Sequence, residues 1–521
     1  MQTYRLTLDR FLDHAAKWWG AREVVTADSG RIGYAGLRER SNRLSGALKG
    51  LGLAFGERVG TLAWNTQHHL EIYYAAMGAG FVCHTLNPRL TVAHLSAMVN
   101  EAEDRVLAVG AGLGELASEV VKRCPSVATI VMLDGEAADA RRFGNRPTVT
   151  LEEFLAASGR PTSWGDFPEE SASGLCYTSG TTGPPRGVLY SHRSSYLHTL
   201  RALQADALAL TSTDAVLVAV PMFHANAWGF PFAAPAVGAK LVLAGRGTEG
   251  ARLAALIRAE RVTVAAGVQT VWQGLVDYLD GEGGDLPSLE RVVIGGARCP
   301  DALIQRMEDR LRARVQTSWG MTELSPLGTI APARGTSRAV ASGRAPVGLD
   351  LKLTDATGAT LPQQRNVTGH LKVKGASVVD RYFGASASAL DAEGFFDTGD
   401  LASIDDEGNL TIAGRTKDLI KSGGEWINPA EIEDVIGRLP GVGQVAVIAR
   451  EDLKWGERPV LVVEPQKGHA LDEKVLLAAL RGKVADFWIP ESVIQVSSMP
   501  LSVTGKIDKT RLRAQLAAGS G

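Results

Sequence analysis

Apolar runs of strand length alternate with helix-spaced segments from Leu37 to Ile294, and this alternation limits the fold more than any other feature of the chain. Leu37, Leu44 and Leu48 recur at helical spacing before the stop at Gly50–Leu51–Gly52. Arg58–Trp64 then reads as a strand, Leu70–Gly78 as a helix and Phe81–Thr85 as a second strand. Ala215–Val220 and Lys240–Ala244 are further short apolar runs, followed by a helix over Ala251–Glu260 and strands over Val262–Ala266 and Arg291–Ile294. Strands joined by helices lie parallel in largely parallel sheets, with helices on both faces. The expected class is α/β: a large N-terminal domain of sheets covered by helices.

A second unit follows. At 521 residues the chain exceeds one compact core. Asp405–Gly408 reads as a turn between two apolar runs, and a boundary is expected near Gly414–Lys417. Beyond it Pro429–Gly437 reads as a helix, Gln444–Ile448 and Pro459–Val463 as strands, and Glu473–Val484 as a helix. A tail of about a hundred residues with its own pattern suffices for a small α+β domain. The expected division is 1–414 and 415–521.

Charge and cysteine usage exclude several functions. Lys plus Arg (55) nearly balance Asp plus Glu (57), so neither nucleic acid nor an anionic membrane is the expected partner. Cys83, Cys124, Cys176 and Cys299 lie far apart with no CxxC pair, which argues for buried thiols rather than a zinc site or disulfides. The N-terminal MQTYRLTLDRF lacks the pattern of a secretory signal, and no uncharged apolar run reaches the roughly 18 residues of a membrane span. A cytoplasmic protein without a membrane span is expected.

The strongest chemical signal is YTSGTTGPPRG, Tyr177 to Gly187. Gly180, Gly183 and Gly187 allow the backbone to turn and present N–H groups, while Thr178, Ser179, Thr181 and Thr182 add hydroxyls. Such a loop suits a polyphosphate. It is not the GxxxxGK[ST] loop of P-loop proteins. A shorter Gly/Ser/Thr run would read equally well as an ordinary surface loop; the length of this one argues against that.

This segment resembles the phosphate loop of the acyl-adenylate-forming (AMP-binding) superfamily of acyl-CoA synthetases, beetle luciferases and peptide-synthetase adenylation domains. The usual pattern ends Pro-Lys-Gly; here it is Pro185-Arg186-Gly187, and arginine keeps the charge and can fork onto phosphate oxygens. Further pieces follow in the family's order, covering the chain from about Leu8 to Leu512. Gly295-Gly296-Ala297 resembles the turn lining the adenine and the acyl pocket. Thr317 to Glu323 (TSWGMTE) resembles the segment that stacks an aromatic on adenine, which puts Ser318, Trp319, Gly320, Met321 and Thr322 on the nucleotide, with Trp319 where tyrosine is commoner. Phe396–Asp400 resembles the motif whose final Asp accepts the ribose hydroxyls, and Gly414–Asp418 the domain junction, with Arg415 on the nucleotide and Lys417 at the hinge. Thr504-Gly505-Lys506 resembles the motif of the catalytic lysine. The resemblance implies catalytic roles for Lys506, His224, Glu323 and Thr178, with magnesium on Glu323 and Thr178, ATP and coenzyme A as co-substrates, and a homodimer.

The chemistry needs such residues. A carboxylate is a poor electrophile, and attack on the α-phosphate of ATP installs AMP as a leaving group. Two anions must meet, so magnesium at Glu323 and the ammonium of Lys506 are expected to offset the charge that builds up. In the family a small-domain rotation about the hinge then exposes a new face. Lys421, Ser422, Gly423, Gly424, Glu425 and Trp426 are expected to line the pantetheine channel of that second state.

The acid is less legible. His224 resembles the gate for carboxylate entry, and Trp228 resembles the tryptophan that closes the acyl tunnel in bacterial fatty-acyl-CoA synthetases and in relatives acting on 3-methylmercaptopropionate. Gln269, where proline is usual, and Gly295 complete the expected acyl pocket; His370 replaces a usual Glu and is expected to bear only on local packing. Asn87–Leu90 and Ser422–Asn428 further resemble the fatty-acyl-CoA branch. Apart from His224 no titratable residue lies in Phe223–Phe232, so an apolar acid is expected and a dicarboxylate disfavoured. An aryl or cinnamate-type acid, 3-methylmercaptopropionate, and transfer to a carrier protein remain open alternatives, as does a nucleotide sensor without catalysis, which the presence of Lys506, Glu323 and Asp400 opposes.

Overall fold

The expected alternation is realised in two large sheets. The computed structural model describes all residues except 28, 136–138, 179–184, 298, 335–340, 423–424, 467, 503–505 and 519–521. One sheet has seven strands in the order Thr148–Thr150, Thr129–Met132, Val106–Val109, Arg58–Leu62, Val82–Leu86, Ala172–Tyr177 and Gly187–Ser191, parallel except for the last. The other has eight, in the order Leu327–Ile330, Arg314–Gly320, Arg291–Gly295, Val264–Val268, Ala215–Val218, Lys240–Leu243, Glu23–Thr26 and Gly30–Gly33, with only its two edge pairs antiparallel.

Both faces of each sheet are covered, which is why these strands read as continuous apolar runs. Successive strand side chains point to opposite faces. Thus Val216 and Val218 belong to the core between the sheets, and Leu217 to the outer one. The shared core is filled by helices Asp9–Trp18, Tyr34–Gly50, Gln67–Ala79 and Phe230–Val237, and Leu37, Leu44 and Leu48 are fully buried in it. Helices Gly250–Glu260, Gln269–Glu282 and Asp301–Leu311 cover the far face of the eight-stranded sheet; Val92–Ala102 and Gly114–Val121 cover that of the seven-stranded one. Side-chain caps set several helix starts: Thr66 and Thr91 accept backbone N–H groups, and Thr150 and Ser191 form capping boxes.

A third sheet was not legible. Leu349–Thr354, Thr368–Gly375, Phe396–Ile404 and Leu410–Arg415 form an antiparallel sheet, of which the sequence revealed only the Asp405–Gly408 turn between the last two strands. One face packs on a core that includes Tyr190, Trp319 and Leu324, while the other carries polar side chains such as Lys374. Arg415 is the last residue of this sheet.

Beyond it, Glu425–Ile427, Ile420–Ser422, Gly456–Pro465 and Val442–Asp452 form a sheet joined by Val493–Gln495. Helices Pro429–Gly437 and Glu473–Leu480 share one of its cores, and the C-terminal helix Lys509–Ala518 contributes Leu512 to the other. The predicted helix over Glu473–Val484 stops at Leu480, because Gly482 takes φ 68° and Arg481 bridges Val484. All four cysteines are buried. Among the described residues no helix is long and apolar enough to cross a membrane.

Candidate active site

Asn65, which no sequence motif singled out, ties the two large sheets together at the carboxyl ends of their strands. Its side-chain amide donates to the carbonyls of Val218 (3.1 Å) and Val220 (2.8 Å), and its oxygen accepts the Met222 N–H at 2.7 Å. Ligands of open α/β sheets bind at such ends, and most of the predicted residues gather there.

The glycine–threonine segment is the loop of a hairpin. Tyr177 ends one strand and pairs with Gly187 of the next. The Thr178 N–H donates to the Arg186 carbonyl at 2.9 Å, closing the stem. Ser179, Gly180, Thr181, Thr182 and Gly183 lie outside the described residues. Arg186 extends its guanidinium over the ring of Tyr382, 5.1 Å from the centroid. The Tyr382 hydroxyl donates to Glu323 Oε1 at 2.9 Å. Glu323 and Thr322 are buried in the short turn Thr322–Leu324, whose Thr322 carbonyl accepts the Tyr190 hydroxyl at 2.8 Å.

Trp319 is not a free ring. It is 8% exposed, sits in the core beneath the antiparallel sheet, and donates its indole N–H to Asp400 Oδ2 at 2.9 Å. The other oxygen of Asp400 pairs with Arg415 Nε at 2.7 Å, since strand register sets Asp400 opposite Arg415. Burial pushes the Asp400 carboxyl up, against the pull of Arg415, Trp319 and Lys506. Ser318 donates to the Ile294 carbonyl at 2.9 Å, while Gly320 leaves room for the Pro326 carbonyl that a Cβ would strike. The N–H of the next residue, Met321, donates to that same carbonyl at 3.0 Å.

Lys506 reaches this cluster from the far end of the chain. A bridge between Leu501 and Ile507 and the Lys506 N–H bond to Ser502 Oγ (3.2 Å) hold its backbone; Thr504 and Gly505 are outside the described residues. Its Cε lies 3.9 Å from where a Cβ of Gly296 would be, and Gly296 has φ 91°. Arg415, Asp400, Lys417 and Glu323 all act on its charge. Lys506 as a whole is exposed to solvent, with its ammonium drawn among these groups. Desolvation, with Arg415 adding to it, pushes its pKa down to about 8. His224 is lowered to about 4, first by desolvation and then by Lys506, so its imidazole is neutral.

The pocket segment after His224 is unusual. Ala225, Asn226, Ala227, Trp228 and Gly229 have φ values of 43°, 52°, 47°, 56° and 81°, a left-handed turn that L-residues resist. Tyr73, whose hydroxyl donates to the Met222 carbonyl, lies beside it with Oη 3.4 Å from the Asn226 side-chain oxygen, which also faces Cys176 Sγ at 3.7 Å. The turn sets the Trp228 ring against Gly295, where a Cβ would come within 3.1 Å. Gln269 begins its helix one residue past Val268, the strand partner of Gly295. Ala297 is exposed beside them.

The residues expected at the hinge and on coenzyme A lie apart. Lys417 sits in the turn Thr416–Asp418, its pKa lowered by desolvation. His370 touches that turn through Thr416 Oγ1 at 3.2 Å, a contact that reaches beyond its own strand. Lys421 lies over the Trp426 ring, 5.5 Å from its centroid, with Trp426 54% exposed. Ser422 is buried and accepts Arg458 at 3.2 Å; Glu425 is its strand partner; Gly423 and Gly424 are outside the described residues. These contacts stay within the C-terminal part, so this hairpin is not gathered with the cluster around Lys506.

Tyr382 and Asn65 carried no motif, while Asn226 lies inside the Phe223–Phe232 pocket stretch without a role of its own read for it. Each acts on residues far away in sequence, 59 positions in the case of Tyr382 and Glu323, which local spacing cannot reveal.

Comparison with known proteins fits this geometry. The chain matches the family described as AMP-binding enzyme over residues 12–383, and the AMP-binding enzyme C-terminal domain over 431–506. It is 41% identical to the 3-methylmercaptopropionyl-CoA ligase of Ruegeria pomeroyi, over 98% of this chain and 97% of that one. It is 40% identical to a medium-chain-fatty-acid–CoA ligase of Ectopseudomonas oleovorans, over 98% and 96%. Among solved structures, ATP-bound MatB from Rhodopseudomonas palustris aligns with a TM-score of 0.85 at 26% identity, over 98% and 99% of the two chains.

Proposed function

The chain belongs to the AMP-binding enzyme family, and on that premise we propose that it is an AMP-forming acyl-CoA synthetase acting on a fatty acid or a similar apolar carboxylate. A carboxylate oxygen of the acid attacks the α-phosphorus of ATP, and the bond to the bridging oxygen breaks as pyrophosphate leaves. The thiol sulfur of coenzyme A then adds to the acyl carbon, its proton passes to solvent, and AMP departs. The observation that supports this reading most is the approach of Lys506 to Gly296 amid Arg415, Asp400 and Glu323.

In the first step Lys506 offsets phosphate charge, Asp400 and Arg415 hold the ribose side of the nucleotide, and Thr178 and Arg186 hold its phosphates. Thr322 joins them, and Trp319, Gly296 and Ala297 border the adenine. A neutral His224 has a ring N–H to donate to the carboxylate of the acid, and Trp228, Gln269 and Gly295 bound the acyl tail. For magnesium, Glu323 offers a hard oxygen donor, one of whose oxygens takes the Tyr382 hydroxyl. Magnesium would be held by Glu323 and Thr178 together with the substrate phosphates, the hard oxygen donors such an ion takes. When bound, that ion supplies Lewis-acid neutralisation of the phosphate oxygens.

For the second step the unit 415–521 turns about Lys417 and brings the hairpin of Lys421, Ser422, Glu425 and Trp426 to the adenylate. A cytoplasmic location, expected from the sequence pattern, and a homodimer, expected from the family resemblance, complete the reading.

Pyrophosphate release, measured over straight-chain acids of graded length, 3-methylmercaptopropionate, a cinnamate and a dicarboxylate, tests the substrate class. A product that requires coenzyme A and an apolar acid is expected. Turnover confined to the dicarboxylate, or transfer to a carrier protein but not to free coenzyme A, would overturn it. The 41% identity to a 3-methylmercaptopropionyl-CoA ligase makes that acid the second reading.

A further inference from the structure

Tyr382 lies outside every motif read from the sequence, yet it joins two of the residues those motifs supplied. Its hydroxyl donates to Glu323 Oε1 at 2.9 Å, and the Arg186 guanidinium lies 5.1 Å from its ring centroid, within cation–π reach. A phenol keeps its proton at neutral pH, so the hydroxyl serves Glu323 as a donor. The backbone around it is pinned on both sides. The Val379 N–H donates to the Glu323 carbonyl and the Phe383 N–H to the Gly187 carbonyl, each at 2.8 Å. The segment 379–383 therefore laces the exit of the glycine–threonine loop to the turn carrying Glu323. An arginine lays a flat face on an aromatic ring where an ammonium does not, which gives a physical reason for Arg186 in place of lysine.

We propose that Tyr382 is a positioning residue for adenylate formation, orienting the Glu323 carboxylate toward the magnesium–triphosphate and registering Arg186 beside it. A carboxylate with one oxygen fixed by a phenol loses rotational freedom and keeps its second oxygen for a ligand. The proposal rests on the reading of Glu323 given above.

Tyr382→Phe removes the hydroxyl and keeps the ring under Arg186. The magnesium concentration for half-maximal pyrophosphate exchange is expected to rise about tenfold, the size of one lost hydrogen bond to a charged group. Calorimetric affinity for ATP is expected to fall by a similar factor with magnesium present and to stay unchanged in EDTA. The KM for the acid and the melting temperature should not move. In a Glu323→Gln background, Tyr382→Phe is expected to add nothing. If Glu323→Gln alone leaves the magnesium requirement unchanged, the metal reading of Glu323 fails and takes the proposal with it. If Glu323→Gln shifts the requirement but Tyr382→Phe does not, the proposal alone falls. Arg186→Gln gives an independent arm should Tyr382→Phe fold poorly: a smaller shift in the same direction is expected, and none would overturn the link to Arg186.

Discussion

Trp319 Nε1 stands 2.9 Å from Asp400 Oδ2, while Arg415 Nε holds the other oxygen of the same carboxylate at 2.7 Å. Two donors from separate segments fix one buried acid. We predict that Trp319→Phe, which keeps an aromatic ring but loses the N–H, raises the KM for ATP about tenfold, from the roughly 1.5–3 kcal/mol of a hydrogen bond to a charged group. The KM for the acid should hold. Equal increases in both constants would show that the indole supports the pocket as a whole instead of the nucleotide.

A lysine with a pKa near 8 is charged below that pH and loses its charge above it. We predict that kcat/KM for ATP in pyrophosphate exchange falls through about pH 8 with the slope of one proton, since this ratio reports the free protein. His224, near 4, adds no limb in that range. Lys506→Arg should move the limb upward. Lys506→Ala should cost about 10²–10³ in adenylation and largely spare transfer from a supplied acyl-adenylate. An unchanged alkaline limb in Lys506→Ala contradicts the assignment.

Lys417 lies in a single turn between the antiparallel sheet and the C-terminal strands. Proline there fixes φ and restricts Thr416 before it. We predict that Lys417→Pro leaves adenylate formation within about twofold and slows thioester formation by about tenfold or more, as expected when a hinge is blocked. Rapid-quench measurement of each half-reaction decides it; thioester formation at the native rate would move the pivot elsewhere.

Gly229 closes the left-handed turn at φ 81°, and a Cβ there would approach His198 Cε1 to 3.0 Å. We predict that Gly229→Ala lowers stability by about 1–2 kcal/mol, from the left-handed backbone cost. Chemical denaturation checks it. A midpoint equal to that of the parent protein would mean the turn relaxes freely.

Much of the architecture was legible. The runs at Arg58–Leu62, Val82–Leu86, Ala215–Val218 and Arg291–Gly295 became strands because burial on both faces demands continuous apolar side chains. The antiparallel sheet from Leu349 onward is not legible in the sequence because one of its faces is polar and its first three strands are separated by long loops. In the site, Glu323, Asp400, Arg415 and Lys506 were legible as types and order. The ring of Trp319 is legible in its segment, but its bond to Asp400 is not, because that bond depends on a strand 81 positions away.

Residue types and their order settled the fold class and pointed to a chemistry that needs cations around a phosphate, with Lys506 as an expected member. Tertiary structure alone decided which atoms meet: that Tyr382 serves Glu323, that Trp319 serves Asp400, and that five consecutive residues wind left-handed to press Trp228 on Gly295. Local sequence encodes backbone preference and burial, which act over a few residues. Hydrogen bonds between distant segments depend on how sheets stack and register, and no short stretch of chain carries that information.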